Sequence, residues 1–281
     1  MHHRDRRSLD RKIQRLANWL SRQKGILVAW SGGVDSTFLA ILAHQALGPR
    51  ALAVTADSPL LDPSDLRMAR RLARSWKLRH RIIRTDEMSH PVFVANPPDR
   101  CYHCKRELFE KLGAIARSEG LAVVADGTNA DDRRDYRPGV RAARELGVVH
   151  PLQQFGFRKA EIREASRRLG LPTADKPAAA CLASRFPYGT PLTAEALARV
   201  AQAEKAIHRL GFPLCRVRVH GDVARIELAP ESLARAFSNR AALSRALHRA
   251  GFLYATLDLD GYRTGSLNAV LKKSTRDKRK G

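Results

Sequence analysis

Short, uninterrupted apolar runs alternate with amphipathic stretches along the N-terminal part of this chain. Residues 8–22 carry Ile13, Leu16 and Leu20 at helical spacing among basic side chains, so an amphipathic helix is expected to open the fold. Residues 25–30 read as a strand buried on both faces, and residues 38–43 as the apolar body of the helix behind it. Residues 51–56 and 81–85 predict two further strands, with a helix from Pro63 and Ser64 to about Trp76 between them. A fourth strand is expected at 121–125 and a fifth at 147–152, and residues 158–169 read as a helix stopped by Gly170 and Pro172. This alternation implies an α/β fold, a doubly wound parallel sheet whose ligand lies at the carboxyl ends of its strands.

The texture changes between Pro172 and Pro191, where four prolines fall in a stretch without periodicity. Such long loops are functional or connect domains. Beyond it the pattern predicts a helix at 193–210, a hairpin of 214–220 and 223–228 turning at Gly221-Asp222, a helix over 230–249 and a strand near 252–258. These make a smaller α+β domain. The expected organisation is therefore 1–175, 176–271 and a basic, disordered tail at 272–281. Alternation in the hairpin puts Cys215, Val217 and Val219 on the core face, with Cys215 a buried structural thiol, and Arg216 and Arg218 together on the other. The two guanidiniums either grip a phosphate or carboxylate or form a solvated strand face.

The junction of the first strand and its helix carries the most specific chemistry. In Ser31-Gly32-Gly33-Val34-Asp35-Ser36-Thr37, the glycines let the backbone turn and approach a ligand. The N–H groups at the helix start and the hydroxyls of Ser31, Ser36 and Thr37 supply donors to an anion. A Walker loop would need a lysine after it, and none follows. The stretch instead resembles the PP-loop, SGGxDS, of ATP pyrophosphatases, which release pyrophosphate and leave AMP on the substrate. Asp57, at the end of the second strand, falls at the same sheet edge, as do Gly127 and Asn129 after the fourth, beside the nucleotide. An Asx-type cap starting the next helix is a second reading of 126–132, and the two are compatible.

Composition narrows the setting. With 281 residues, 44% of them hydrophobic, the chain fills one large or two ordinary domains. No apolar stretch approaches the ~20 residues of a membrane span, and no apolar segment follows the basic start, so a cytoplasmic protein without a membrane partner is expected. Four cysteines are too few and too unevenly placed for a secreted disulfide framework. Cys101-Tyr102-His103-Cys104 leaves zinc, a redox dithiol and plain packing all open; in a first helical turn both sulfurs share one face and the helix start favours thiolates. The net charge of +23 would attract polyanions. Arginine is scattered, however, and only the tail is a dense basic run, so nucleic acid is not the expected partner, although a basic groove would need no motif.

Several motifs occur together in order: the PP-loop, Asn96-Pro97, Asp99 through Lys105 with its CxxC, Gly127 through Asp132, Cys181 through Gly189, and the Arg216/Arg218 strand. As a set, over roughly residues 8–271, they resemble the LarE family of ATP-dependent sulfur transferases, which make the nickel-pincer nucleotide cofactor of lactate racemase. The resemblance implies a small-molecule nucleotide substrate. ATP adenylylates a carboxylate of a pyridinium dicarboxylate mononucleotide, and a sulfur nucleophile then displaces AMP to leave a thiocarboxylate. It implies that Ser31, Gly32, Gly33, Asp35, Ser36 and Thr37 hold the pyrophosphate end of ATP, with Asp35 helping to place Mg²⁺. Ser184, Arg185, Arg216 and Arg218 match positions that bind the substrate phosphate, Glu204 a metal ligand and Lys105 a substrate contact. One form of the family gives up the sulfur of a cysteine at the Cys181 position; another gathers three cysteines around a [4Fe-4S] cluster. Cys101, Cys104 and Cys181 fit the second form, which is the expectation here, with sacrifice of Cys181 as the alternative. A sulfur donor and a homo-oligomer are also expected. A tRNA thiolase of the PP-loop superfamily and a non-catalytic RNA-binding or nucleotide-sensing protein are the competing readings.

Overall fold

The first strand, β1 (Ile26–Ala29), is apolar throughout because both of its faces are covered. The computed structural model of the chain describes residues 3–61, 63–134, 138–177, 180–263 and 265–271. Ile26 and Val28 pack in a cluster with Leu9, Leu16 and Leu20 of α1 (His3–Ser21) and Phe38 of α2 (Val34–Leu47). Leu27 belongs to a second cluster with Leu52 of β2 (Ala51–Asp57). Then come α3 (Pro63–Ser75), β3 (Arg79–Arg84), the single turn α4 (Pro91–Val94) and α5 (Arg100–Ser118), whose Phe109 and Leu112 complete that second cluster. β4 (Val123–Ala125) is the last strand of a parallel sheet ordered β3-β2-β1-β4, followed by α6 (Pro138–Glu145), α7 (Pro151–Gln154) and α8 (Lys159–Arg168). The α/β architecture with its doubly wound parallel sheet is thus as the alternation of runs implies.

Two details differ from the pattern. The fifth strand expected at 147–152 shrinks to one parallel bridge, Ala125 with Val149, because Pro151 has no N–H to continue a ladder and opens α7 instead. β3 starts at Arg79, and its exposed Arg79 and Arg81 are held by Glu119.

A smaller sheet forms separately. After α9 (Ala194–Arg209), β5 (Cys215–His220) and β6 (Val223–Leu228) pair antiparallel around Gly221, whose φ of +62° suits glycine. Then α10 (Leu233–Ser238) and α11 (Arg240–Arg249) lead to β7 (Tyr254–Leu257), which lies parallel to β6. One helix was expected over 230–249; Asn239 divides it, its Nδ2 donating to the Arg235 carbonyl at 2.8 Å and ending α10. The expected solvated alternative for Arg216 and Arg218 also fails, since β5 is covered on both faces and the two residues are 7% and 8% exposed.

The chain divides into two compact units, Met1–Phe93 with Pro98–Ala179, and Val94–Pro97 with Ala180–Gly281. The short 94–97 piece is stitched into the second by Leu192 N–H to Val94 O and Gly189 N–H to Asn96 O, each 2.9 Å. The tail expected at 272–281 lies outside the described residues. Among the described residues, no helix is long and apolar enough to cross a membrane.

Candidate functional site

The loop after β1 is shaped by its glycines. Gly32 sits at φ +70°, and Gly33 caps α2 through its backbone alone, leaving the first N–H groups of the helix without a side-chain acceptor. The Ser36 hydroxyl accepts from Ser31 N–H at 3.2 Å and lies 3.1 Å from the Ser31 hydroxyl. Gly127, after β4, comes so close to this helix start that a Cβ there would lie 2.7 Å from Ser36 N. Only glycine fits. Thr37, expected among the phosphate donors, is instead fully buried, with its hydroxyl accepting the Trp30 indole N–H at 2.9 Å, so it fixes the loop from beneath.

Asp35 is the loop's charged member. Its Oδ2 pairs with Lys159 of α8, while its buried Oδ1 has no hydrogen-bond partner. Burial pushes the carboxyl above its ordinary range, and Lys159 opposes that shift. Lys176 reaches the same loop, donating to Gly32 O at 3.0 Å and to Asp65 at 2.8 Å. Asp57 is exposed at the carboxyl end of β2. Asn129 is buried and its Oδ1 accepts Asp131 N–H at 2.9 Å, so the Asx reading of this stretch holds, opening a 3₁₀ turn at Ala130–Arg134.

Cys101 lies in the first turn of α5 and Cys104 one turn further on, both half-buried. The Cys104 thiol donates to Glu87 Oε1 at 3.6 Å, and Glu87, 3% exposed, accepts Ser58 Oγ at 3.0 Å through its other oxygen. Cys104 and Glu87 share a cavity of about 270 Å³ with His90, Phe93, His103 and Glu107. Lys105, on the next position of α5, lies 5.5 Å from the centre of the Phe109 ring.

In the second unit, half-buried Cys181 precedes a 3₁₀ turn, Leu182–Arg185. Ser184 Oγ donates to the Cys181 carbonyl at 2.8 Å. Arg185 and Glu204 were expected to meet substrate phosphate and metal, but the structure engages them with each other in a bidentate pair, both bonds 2.8 Å. Glu204 also accepts Val217 N–H at 2.9 Å, and Arg185 Nη1 holds the carbonyls of Ala180 and Cys181 at 2.7 and 3.0 Å. The pair therefore fixes the backbone at Cys181. Arg218 donates to Ser184 O at 2.6 Å, Glu227 at 2.7 Å and Ser266 Oγ at 3.1 Å. Arg216 donates to Cys215 O at 2.7 Å and lies 5.5 Å from the centre of the Tyr262 ring; burial, then the charge of Arg185, lowers its proton affinity. Buried Arg185, Arg216 and Arg218, with half-buried Arg225, thus stand against the buried carboxylates of Glu204, Glu227 and Asp258, an excess of positive charge suited to an anion. Cys215 is wholly buried, and burial pushes its thiol well above the usual range, as a structural thiol requires. Within neither unit, among the described residues, do three His, Cys, Asp or Glu side chains gather in a metal-holding group.

Sequence patterning missed Glu87, Lys159, Lys176, Glu227 and an Asp126–His150 pair. Only Lys176 carried a signal, lying in the proline-rich stretch after Pro172.

Comparison with known proteins points to one family. The NAD synthase family profile matches residues 10–98. An uncharacterized protein of Synechocystis sp. is 45% identical over 94% of this chain and 100% of its own length. An uncharacterized protein of Methanocaldococcus jannaschii is 28% identical over 90% of this chain and 98% of its own. The pyridinium-3,5-bisthiocarboxylic acid mononucleotide synthase of Lactiplantibacillus plantarum is 38% identical over 89% of this chain and 91% of its own. With that identity sustained through nearly the whole of both chains, and a phosphate loop built on the first parallel strand, the chain belongs to the LarE family of ATP-using sulfur-transferring enzymes.

Proposed function

We propose that this chain adenylylates a carboxylate of a pyridinium dicarboxylate mononucleotide, releasing pyrophosphate, and converts it to a thiocarboxylate with release of AMP. The observation that carries the reading is Asp35 at the start of α2: a buried carboxylate oxygen without a partner, beside N–H groups without a side-chain acceptor. That donor set suits a Mg²⁺ ion with a polyphosphate. Mg²⁺ supplies charge neutralisation when bound. The α2 N–H groups, Ser31 and Ser36 hold the pyrophosphate end of ATP, Lys159 and Lys176 balance its charge, and Asp57, Gly127 and Asn129 line the same sheet edge. The name of the L. plantarum relative, a pyridinium-3,5-bisthiocarboxylic acid mononucleotide synthase, supports the substrate class. Arg216 and Arg218 bind the substrate phosphate, with Ser184 beside them and Arg185 and Glu204 holding the turn. Lys105 meets the substrate carboxylate.

For the sulfur, Cys101 and Cys104, one turn apart on α5, supply two thiolates of a [4Fe-4S] site, and we assign the third to Cys181. Such a cluster, when bound, offers an iron free to carry the transferred sulfur. Anaerobic purification with iron and sulfide quantified tests this, followed by turnover with Mg-ATP and the dicarboxylated mononucleotide and mass analysis of the Cys181 peptide. The expected result is several thiocarboxylates per chain with Cys181 intact. A single turnover with dehydroalanine at 181 replaces the cluster with sacrifice. Pyrophosphate release without any thiocarboxylate overturns the sulfur-transfer step, and salt-dependent tRNA binding would then favour the thiolase.

A further inference from the structure

The turn after β4 holds two side chains that the reading above leaves unused. Val149 bridges to Ala125, and Asp126 N–H donates to Val149 O at 3.1 Å, so Asp126 and the next residue, His150, stand together at the carboxyl edge of the sheet. His150 Nδ1 lies 2.7 Å from Asp126 Oδ1, which also accepts the Thr128 N–H at 2.9 Å. Burial, the largest influence on Asp126, pushes it up, but His150, the Thr128 N–H and the charge of Lys105 together bring the carboxyl below its ordinary range. An ionised carboxylate only accepts, so Nδ1 donates in this bond. Nε2 makes no hydrogen bond among the described residues, and the His150 side chain is 16% exposed.

Position gives this pair a neighbourhood. Gly127, adjacent to Asp126, is the residue whose Cα packs against Ser36 at the start of α2. On the other side the charge of Lys105 reaches Asp126 from α5. The pair therefore stands between the phosphate loop and the CxxC helix, at the strand ends where a parallel sheet binds its ligand. A purely local job is absent for the ring: His150 precedes α7 as its N-cap, yet its side chain makes no capping bond.

We infer that His150 is a nucleotide-binding residue, its Nε2 donating to a phosphoryl oxygen of the adenine nucleotide, with Asp126 as the positioning residue that fixes the ring. The inference rests on the adenylylation reading. An imidazolium donates from both nitrogens, so it can bind Asp126 through Nδ1 and an anion through Nε2 at once. Lys105 adds a second cation on the α5 side.

The test uses the full chain with Mg²⁺ and α,β-methylene-ATP, which cannot be cleaved at the bond in question. Calorimetry measures affinity, and ¹H–¹⁵N spectra of the histidine rings report contact directly. The Nε2 resonance of His150 is expected to move on nucleotide addition. His150→Ala should weaken binding about tenfold, the size of one charge-assisted bond. His150→Gln, whose amide nitrogen reaches the place of Nε2, should recover part of the loss, which a merely structural ring would not allow. Wild-type affinity in His150→Ala together with an unmoved Nε2 resonance overturns the inference. A wild-type chain that binds no adenine nucleotide overturns the adenylylation reading, and this inference falls with it.

Discussion

At the carboxyl edge of the parallel sheet, residues 31–37 present backbone N–H groups and hydroxyls arranged by glycine, as the proposed pyrophosphate site requires; in the second unit Arg216 and Arg218, proposed to bind the substrate phosphate, present guanidiniums that are already buried. The first site depends on shape. Gly32 is at φ +70° and Gly127 leaves no room for a methyl group, whereas the carboxylate within the loop, Asp35, still has an unpartnered oxygen. The second depends on charge balance, because each buried guanidinium must find a carboxylate, a carbonyl or a ligand. A methyl group should therefore damage the first site, and a lost charge the second.

The sharpest test of that contrast is Glu204→Ala. Glu204 and Arg185 are 5% and 4% exposed and bound through two hydrogen bonds, so removing the carboxylate leaves a buried, uncompensated guanidinium. A loss of about 3–5 kcal/mol in urea unfolding is expected. A loss below about 1 kcal/mol would be the value of a surface pair and would break the charge-balance account. Next in size is Gly127→Ala, which changes no charge. The new Cβ would fall 2.7 Å from Ser36 N, a backbone atom, so the first turn of α2 must shift. Overpacking of this kind costs about 1–3 kcal/mol. Mg-ATP affinity should fall with it, and a Gly127→Ala chain that binds Mg-ATP normally would remove shape as the basis of the first site.

The same contrast explains what could be read in advance. A strand–loop–helix is local, so its apolar run, its glycines and its hydroxyls announce it within a few residues, and the parallel sheet follows from repeating that unit. The lysines that serve the loop are not local: Lys159 meets Asp35 across 124 positions, and Lys176 meets Gly32 across 144. Nothing in the periodicity around either lysine says so. In β5 the alternation correctly grouped Arg216 with Arg218, but period two says which residues share a face and not whether that face is covered. Burial was decided by Glu204 on α9 and Glu227 on β6, which make the covered face tolerable. Asn239 shows the opposite limit, a break within a helical pattern that depends on one side chain turning back to a carbonyl.

Asp126 gives a smaller effect with a defined sign. Its carboxyl is held below the ordinary 3.8 in the folded chain, so it contributes stability that is present above that value and lost as pH falls through the lower folded one. Asp126→Asn lacks this contribution. The gap in unfolding free energy between wild type and variant should be level from neutral pH down to about pH 5, then narrow below the ordinary carboxylate value. A gap that instead widens on acidification would mean that the His150 bond does not hold Asp126 ionised, and the ring would lose the acceptor that fixes its orientation.

The smallest effect separates the helix that carries Glu204 from the ion pair itself. Thr193 is the N-cap of α9, and its hydroxyl accepts Ala196 N–H at 3.1 Å, one of the first donors of a helix that would otherwise turn to water. Thr193→Ala should cost about 1 kcal/mol and Thr193→Ser almost nothing, since serine caps as well. Phosphate affinity at the arginine cluster should be the same in both, because Arg185, Val217 and Glu204 remain bonded to one another whatever the first turn does. Were Thr193→Ala to weaken phosphate binding as strongly as it weakens the fold, the guanidiniums would be held by the helix as a whole. Charge balance would then be a consequence of packing in the second unit, and the two sites would differ only in which atoms face the anion.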